Sequence, residues 1–152
     1  MTNTYADFLR GRRSILSLSQ GALADLAGVK QPTIAAIESG KRTPSASARA
    51  ALDQALTTQP STALAARRHE VRDLFDRAGL PEPRVFGSVA RGTDRPDSDI
   101  DLLVEFSDHH DIVDLLTLQQ ELETLLTFPV DLADSRARGP VTTHGLTEIV
   151  GL

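Results

Sequence analysis

Residues 83 to 105 hold the residues of this 152-residue chain best suited to chemistry. A short apolar run ends in Gly87-Ser88, ten residues follow, and Asp99 and Asp101 then stand one residue apart. The run Ile100 to Val104 has the β-branched and aliphatic content of a buried strand. Successive side chains on a strand point to opposite faces, so Asp99 and Asp101 project from one face with Cβ atoms roughly 6–7 Å apart. Two carboxylates so placed repel each other unless a cation joins them. Oxygen ligands beside substrate phosphates suit Mg²⁺. A solvated strand end, where Asp favours turns, is the other reading of the pair taken alone.

The elements that must position this pair follow from the periodicity. A polar stretch with Pro, Thr57-Thr58-Gln59-Pro60-Ser61, separates a helical segment ending at Leu56 from the rest. The break predicts a domain over 1–58 and another over 62–152. Beyond it, Leu64, Val71, Leu74, Phe75 and Ala78 recur at helical spacing, predicting one amphipathic helix closed by Gly79 and Pro81. Arg67, Arg68, Arg72 and Arg77 fall on its solvated side. A strand at Arg84–Phe86, the Asp-bearing strand, and a helix over 110–126 with Ile112, Leu115, Leu116, Leu122 and Leu126 on its apolar stripe come next. A strand at Pro129–Ala133 and a segment at Gly145–Val150 complete a small mixed sheet with flanking helices, an α+β arrangement. His109 and His110 read as ordinary surface residues.

Composition narrows the classes. No Cys is present, which excludes a disulfide framework and thiolate metal sites. The start lacks the apolar core of a signal peptide, and no stretch approaches a membrane span, so a cytoplasmic location is expected. The net charge of −5 is uneven: residues 1–58 carry seven Lys/Arg against four Asp/Glu, a balance of +3, and the remainder nine against seventeen, a balance of −8. Two modules with different partners are implied.

Gly87-Ser88-Val89-Ala90-Arg91-Gly92 followed by Ser98-Asp99-Ile100-Asp101 resembles the signature of the polymerase-β-like nucleotidyltransferases, and within them the minimal, MNT-type branch. The resemblance covers roughly residues 64 to 150. It implies a third carboxylate on a later strand beside the Asp pair. Pro129-Val130-Asp131-Leu132-Ala133 offers Asp131 there, with Asp134 the fallback on the opposite face. It also implies that Asp99, Asp101 and Asp131 are catalytic and hold two Mg²⁺ ions, with ATP as donor. Nucleotidyl transfer puts negative charge on phosphorus and on leaving pyrophosphate, so positioning and charge stabilisation dominate. Gly87 lets backbone approach phosphate closely, and the Ser88 hydroxyl can bond its oxygens. Arg91 faces the triphosphate, braces the loop, or pairs with Asp97 or Asp99.

The first module reads as five short helices. Ser19 caps one, Ala27-Gly28-Val29 makes a tight turn, and Lys30 to Glu38 forms the next with Pro32 in its first turn. Ser39-Gly40 ends that helix, Lys41-Arg42 is a basic loop, and Pro44-Ser45 starts a last helix through Leu56. Ser-Gln, Leu-Ala, Ala-Gly-Val, Thr-Ile, Ile-Glu, Ser-Gly and a downstream Pro, in that order, resemble the Xre/Cro-type helix-turn-helix family over residues 5–56. The resemblance implies DNA readers at Lys30, Gln31 and Thr33, with Gln31 able to pair with adenine, and phosphate contacts at Gln20, Lys41 and Arg42. It further implies a structural pair between Arg13 and Glu38. Gly21 and Ala22 stand where the family has polar residues, which predicts a weakly capped start.

Together the resemblances imply a DNA-binding, Mg²⁺-dependent nucleotidyltransferase. The expected role is an autoregulated antitoxin that attaches AMP to a HEPN-type ribonuclease toxin. Its expected partners are operator DNA, that toxin and a nucleoside triphosphate, with no membrane, as a homodimer or as a hetero-oligomer with the toxin. The alternative is a transcription regulator whose second module only binds nucleotide or a partner protein. Keeping Gly87, Ser88, Asp99, Asp101 and a placed Asp131 favours activity. Transfer to a small molecule fits less well, because the second module leaves little mass to hold such an acceptor.

Overall fold

Short polar side chains just ahead of apolar runs set the helix starts, because they accept from the first N–H groups that lack intrahelical partners. The computed structural model of the chain describes residues 4–136 and 150–152, and divides into two units, Met1–Thr58 and Gln59–Leu152. In the first, Thr4 and Asp7 form a reciprocal capping box that opens α1 (Tyr5–Ile15). The Ala22 N–H donates to Ser19 Oγ at 3.0 Å and opens α2 (Gln20–Ala27), so the cap forms despite Gly21 and Ala22. Gly28 then takes φ +66°, a left-handed conformation that lets the chain turn tightly into α3 (Gln31–Glu38). Pro32 sits in the first turn of α3, where its missing N–H costs nothing. Ser45 caps α4 (Ala46–Ala55).

Leu9, Leu23, Ile34, Ile37, Leu52 and Leu56 form the core of this unit. Beside it runs a polar chain. Arg13 donates to both carboxylate oxygens of the buried Glu38, at 2.7 and 3.1 Å, and Gln20 Nε2 donates to Glu38 at 2.9 Å. Gln31 Nε2 in turn donates to Gln20 Oε1 at 2.9 Å. The expected Arg13–Glu38 pair is therefore present, and it extends to two residues expected at DNA. Four helices lie in this unit. A fifth, α5 (Pro60–Ala66), starts just past the boundary.

In the second unit the single helix expected across 64–78 is two: α5 and α6 (Arg68–Arg77), separated at Arg67 with φ −111° and ψ 15°. The buried Asp94 accepts from the Ser61 N–H at 2.8 Å, pinning the start of α5 to the loop before the Asp pair. The chain continues through β1 (Arg84–Phe86), α7 (Gly87–Arg91), β2 (Ile100–Val104), α8 (Ile112–Leu126), β3 (Val130–Asp134) and β4 (Val150–Gly151). The sheet order is β3-β2-β1-β4, with β2 and β3 parallel and β1 antiparallel to both β2 and β4. The mixed sheet with flanking helices is the α+β arrangement expected. Of the Gly145–Val150 segment only Val150 lies within the described residues.

Ile100, Leu102 and Val104 are fully buried, as are Val71, Phe75, Leu122 and Leu126 of the helices. The apolar stripe of α8 differs from expectation. Its buried residues are Leu118, Leu122 and Leu126, while Ile112 and Leu116 face out. His110 also has a structural place: its Nε2–H donates to the Ala78 carbonyl at 2.8 Å and its Nδ1 bonds Ser107 Oγ at 2.7 Å.

The Arg13–Glu38 pair generates a prediction. Arg13→Ala leaves the Glu38 carboxylate buried with Gln20 as remaining donor, and lowers stability by about 3 kcal/mol, the lower end for breaking a buried ion pair. Arg10→Ala, which removes an exposed partner of Asp7, leaves the unfolding midpoint in urea nearly unchanged.

Candidate active site

Strand pairing brings the acidic residues together. Asp101 of β2 lies directly opposite Asp131 of β3 in the parallel register. Neighbouring strands sit about 4.8 Å apart, and registered residues share a face, so these two carboxylates are side by side. Asp99 lies just ahead of β2, close enough for its charge to act on both Asp101 and Asp131. Asp134 lies opposite Val104, three residues on, and its carboxylate turns to Arg136 at 3.6 Å. The structure thus sets Asp131, rather than Asp134, against the pair.

Charge accumulates where these residues meet. Burial pushes the Asp101 carboxyl above its ordinary range, and Asp99 and Asp131 push it further, while Arg91 draws it back. Burial likewise raises Asp131, with added contributions from Asp99 and Glu123. Glu123 is a fourth acid, and the sequence reading missed it. It stands in the last turn of α8 and accepts from the Val130 N–H at 3.1 Å, at the start of the strand that carries Asp131. An acid in a last helical turn opposes the helix dipole, and that was the available signal.

The backbone of Gly87 closes on this set. Gly87 has φ +72°, and a Cβ placed there would collide with the Asp101 carboxylate. Two features therefore favour glycine: the left-handed backbone, and a carboxylate that a side chain here would have to push aside. Ser88 follows in the first turn of α7, and Gly92 ends that helix with φ +69°. Arg91 is the last residue of α7, and its charge is felt at Asp101. The exposed partner of Asp97 is Arg95, at 3.5 Å.

Among the described residues, no three Asp, Glu, His or Cys side chains close into a ready-made metal cage. Mg²⁺ does not require one: it keeps several waters and takes one or two carboxylates together with substrate phosphates. An open acidic set whose members raise one another's proton affinity has the donor chemistry for such an ion, so the residues fit the group. Asp99, Asp101 and Asp131 could hold it, with Gly87, Ser88 and Arg91 on the phosphate side. A separate cleft of about 480 Å³, lined by Arg77, Phe106, His110, Asp114 and Glu121 among others, includes none of the three Asp residues.

In the first unit the structure gathers part of the expected DNA-facing set. Lys30 caps the start of α3 without a side-chain bond to it, and Gln31 and Thr33 follow in the first turn. Gln20 joins them through Gln31. Lys41 and Arg42 are exposed, and their N–H groups both donate to the Ala36 carbonyl at 2.9 and 3.1 Å, folding this basic loop against the end of α3.

Comparison with known proteins agrees with this architecture. A polymerase β nucleotidyltransferase family model matches residues 84–148, and a helix-turn-helix domain model matches residues 4–74. The chain is 36% identical over 88 residues to the protein adenylyltransferase MntA of Thermococcus cleftensis, covering 57% of this chain and 86% of that protein. It is 43% identical over 65 residues to a Methanocaldococcus jannaschii protein assigned as a protein adenylyltransferase, covering 43% of this chain and 70% of the relative. A solved structure assigned to the minimal nucleotidyltransferases aligns with a TM-score of 0.54 at 42% identity, covering 60% of this chain and 95% of that one. The fold and these relatives define a polymerase-β-type nucleotidyltransferase. The chain belongs to the MntA family of minimal nucleotidyltransferases and carries a helix-turn-helix domain ahead of that module. Among the described residues, no helix is long and apolar enough to cross a membrane.

The raised carboxyls predict a pH signature. A carboxyl whose folded value lies above its ordinary 3.8 disfavours the folded state when ionised. Metal-free stability then falls as pH rises from 3.8 through the raised values. Asp101→Asn should raise the melting temperature of metal-free protein at neutral pH, with the gain disappearing near pH 3.8, and Mg²⁺ should stabilise wild type more than the variant. Gly87→Ala should cost about 1–3 kcal/mol of stability, from the forced positive φ alone, and displace the Asp101 carboxylate. Thermal melts at several pH values check both.

Proposed function

We propose that the second unit transfers AMP from ATP to a hydroxyl side chain of a partner protein, a HEPN-type ribonuclease toxin. The first unit binds the operator of the pair's own genes, which makes the chain a self-regulated antitoxin. The observation that carries the catalytic part is the register of Asp101 against Asp131 beside Asp99, with Gly87 closed on the Asp101 carboxylate. The adenylyltransferase relatives support AMP as the transferred group and a protein as acceptor.

In this reading Asp99 and Asp101 would hold Mg²⁺ beside the triphosphate. When bound, Mg²⁺ supplies neutralisation of phosphate charge and eases ionisation of the attacking hydroxyl. The Ser88 hydroxyl and nearby N–H groups bond triphosphate oxygens, and Arg91 adds positive charge on the same side. Asp131, set beside the Asp99–Asp101 pair by strand register, accepts the proton of the attacking hydroxyl. The new bond joins that oxygen to the α-phosphorus, and pyrophosphate leaves. In the first unit Gln31 keeps one amide proton and its carbonyl oxygen free after donating to Gln20. That is the donor–acceptor pair an adenine edge requires. Lys41 and Arg42 contact phosphate.

The tests separate the two halves. Asp131→Asn should lower transfer at least about 100-fold, the lower end for losing a general base, while ATP binding persists. Asp134→Asn should leave transfer unchanged. The assay is intact-mass spectrometry of the toxin-like protein co-expressed from the adjacent reading frame. Absence of added nucleotide with wild-type protein would overturn the transferase reading in favour of a regulator that only binds nucleotide. For DNA, replacing Lys41 and Arg42 with Ala should reduce the salt slope of binding by about 0.9 log units per lost phosphate contact. Gln31→Ala should instead cost about 1–3 kcal/mol on the preferred site. Equal effects on specific and random duplexes would refute the reading of α3.

A further inference from the structure

We propose that the exposed apolar turn of α8, formed by Ile112, Val113 and Leu116, is the docking surface for the protein that accepts the nucleotidyl group. The matching face on that partner is apolar at its centre and basic at its rim. This surface rests on the protein-acceptor reading above.

The first observation is exposure. Ile112, Val113 and Leu116 are 66%, 62% and 51% exposed, and they are three of the five large apolar side chains left exposed among the described residues. Their crowding onto little more than one helical turn is the informative part, since single exposed apolar residues are ordinary. The turn is also rigid. Asp111 accepts from the Val113 and Asp114 N–H groups at 2.8 and 2.9 Å, and Asp114 accepts from the Asp111 N–H at 3.0 Å. A surface held in place by its own capping box loses little freedom when a partner covers it.

Charge selects the partner. Residues 96 to 135 contain eleven Asp and Glu and no Lys or Arg. Asp111 and Asp114 lie within the apolar turn itself, Arg77 lines a cleft with Asp114 and Glu121, and Arg136, the first Lys or Arg after that stretch, is engaged with Asp108 and Asp134. Such a surface repels nucleic acid and acidic proteins and steers basic ones.

Position ties the turn to the chemistry. Ile112, Leu116 and Glu123 fall on one face of α8 at 3.6 residues per turn, and Glu123 bonds the start of the strand that bears Asp131. Eleven residues of helix span about 16 Å. A standard interface of about 800 Å² per partner is wide enough to cover the apolar turn and still reach the Glu123 end. A protein seated there would bring one hydroxyl side chain to the edge of the acidic set.

The test uses full-length protein, Mg²⁺, ATP labelled on the α-phosphate, and the co-expressed protein of the adjacent reading frame as acceptor. Leu116→Asp and the double change Val113→Asp, Leu116→Asp should raise KM for the acceptor at least about ten-fold, the scale of a modest interface hot spot, with KM for ATP unchanged. The wild-type KM for the acceptor should also rise with salt. Leu26→Asp, the same change at an exposed leucine of the first unit, should leave both constants unchanged. An unaltered melting temperature in each variant shows that the surface changes leave the fold intact. Labelling by the α8 variants at wild-type KM would overturn this surface while leaving the protein-acceptor reading in place. A wild-type dimer that becomes monomeric with Leu116→Asp, without change in acceptor KM, would assign the patch to self-association instead. No labelled protein with wild type would overturn the acceptor reading, and this surface with it.

Discussion

Side-by-side placement of like charges, enforced by sheet register, is the constraint on which the second unit turns. Asp101 and Asp131 face each other because Ile100, Leu102 and Val104 are fully buried on the opposite face, and Val130 is buried on the neighbouring strand. A slip of β3 by one residue would carry Asp131 to the core face and Val130 to the acidic one. Burial of apolar side chains thus holds in place a carboxylate pair that electrostatics alone would separate. Burial first, and then the neighbouring acids, raise the proton affinity of both. Such an arrangement is stabilised by whatever brings positive charge to it, which is the general logic of an ion-dependent phosphate-transfer site.

Two further devices act on the same place. Gly87 is favoured by its positive φ, and the absence of a Cβ leaves the Asp101 carboxylate where it lies. It also delivers the chain into α7, so Ser88 and Arg91 are placed by the same turn. Glu123 has a double role. It satisfies the Val130 N–H at the start of β3 and adds negative charge at Asp131. A side chain that caps a strand start could be a neutral amide. A carboxylate there makes the local charge more negative without changing the hydrogen bond.

Much of this was legible in the sequence, for identifiable reasons. Strands β1, β2 and β3 fall where short apolar runs bounded by turn residues put them, because a buried strand has few other compositions. The caps at Ser19 and Ser45, the turn at Gly28 and the Pro32 start follow from local chemistry and are nearly as expected. Local rules failed where tertiary contacts decide. Arg67 has good helix propensity, yet the helix breaks there. The stripe of α8 was misplaced because Ile112 and Leu116 satisfy the helical period as well as Leu118 does. Only the position of the sheet distinguishes them. Asp94 and His110 bond partners 33 and 32 residues away, separations that no local pattern encodes.

The charge partition along the chain fits the separation of a helix-turn-helix unit from a nucleotidyltransferase unit. A DNA-reading surface works by displacing cations from the phosphate backbone, which requires exposed Lys and Arg. An acidic transfer site works by attracting cations, and the eleven Asp and Glu between residues 96 and 135 create that field. Placed on one small surface, the two fields would cancel within about 8–10 Å, the screening distance at ordinary salt. In this chain they are divided at Thr58. Three of the four acids of the first unit have internal partners: Glu38 is buried under Arg13 and Gln20, Asp7 caps α1, and Asp53 accepts from the Tyr5 hydroxyl, while Asp25 is exposed. Lys30, Gln31, Lys41 and Arg42 are all exposed at α3 and its following loop, while Glu38, the one acid of α3, is buried, so this surface is positive through its bases and through the burial of that acid.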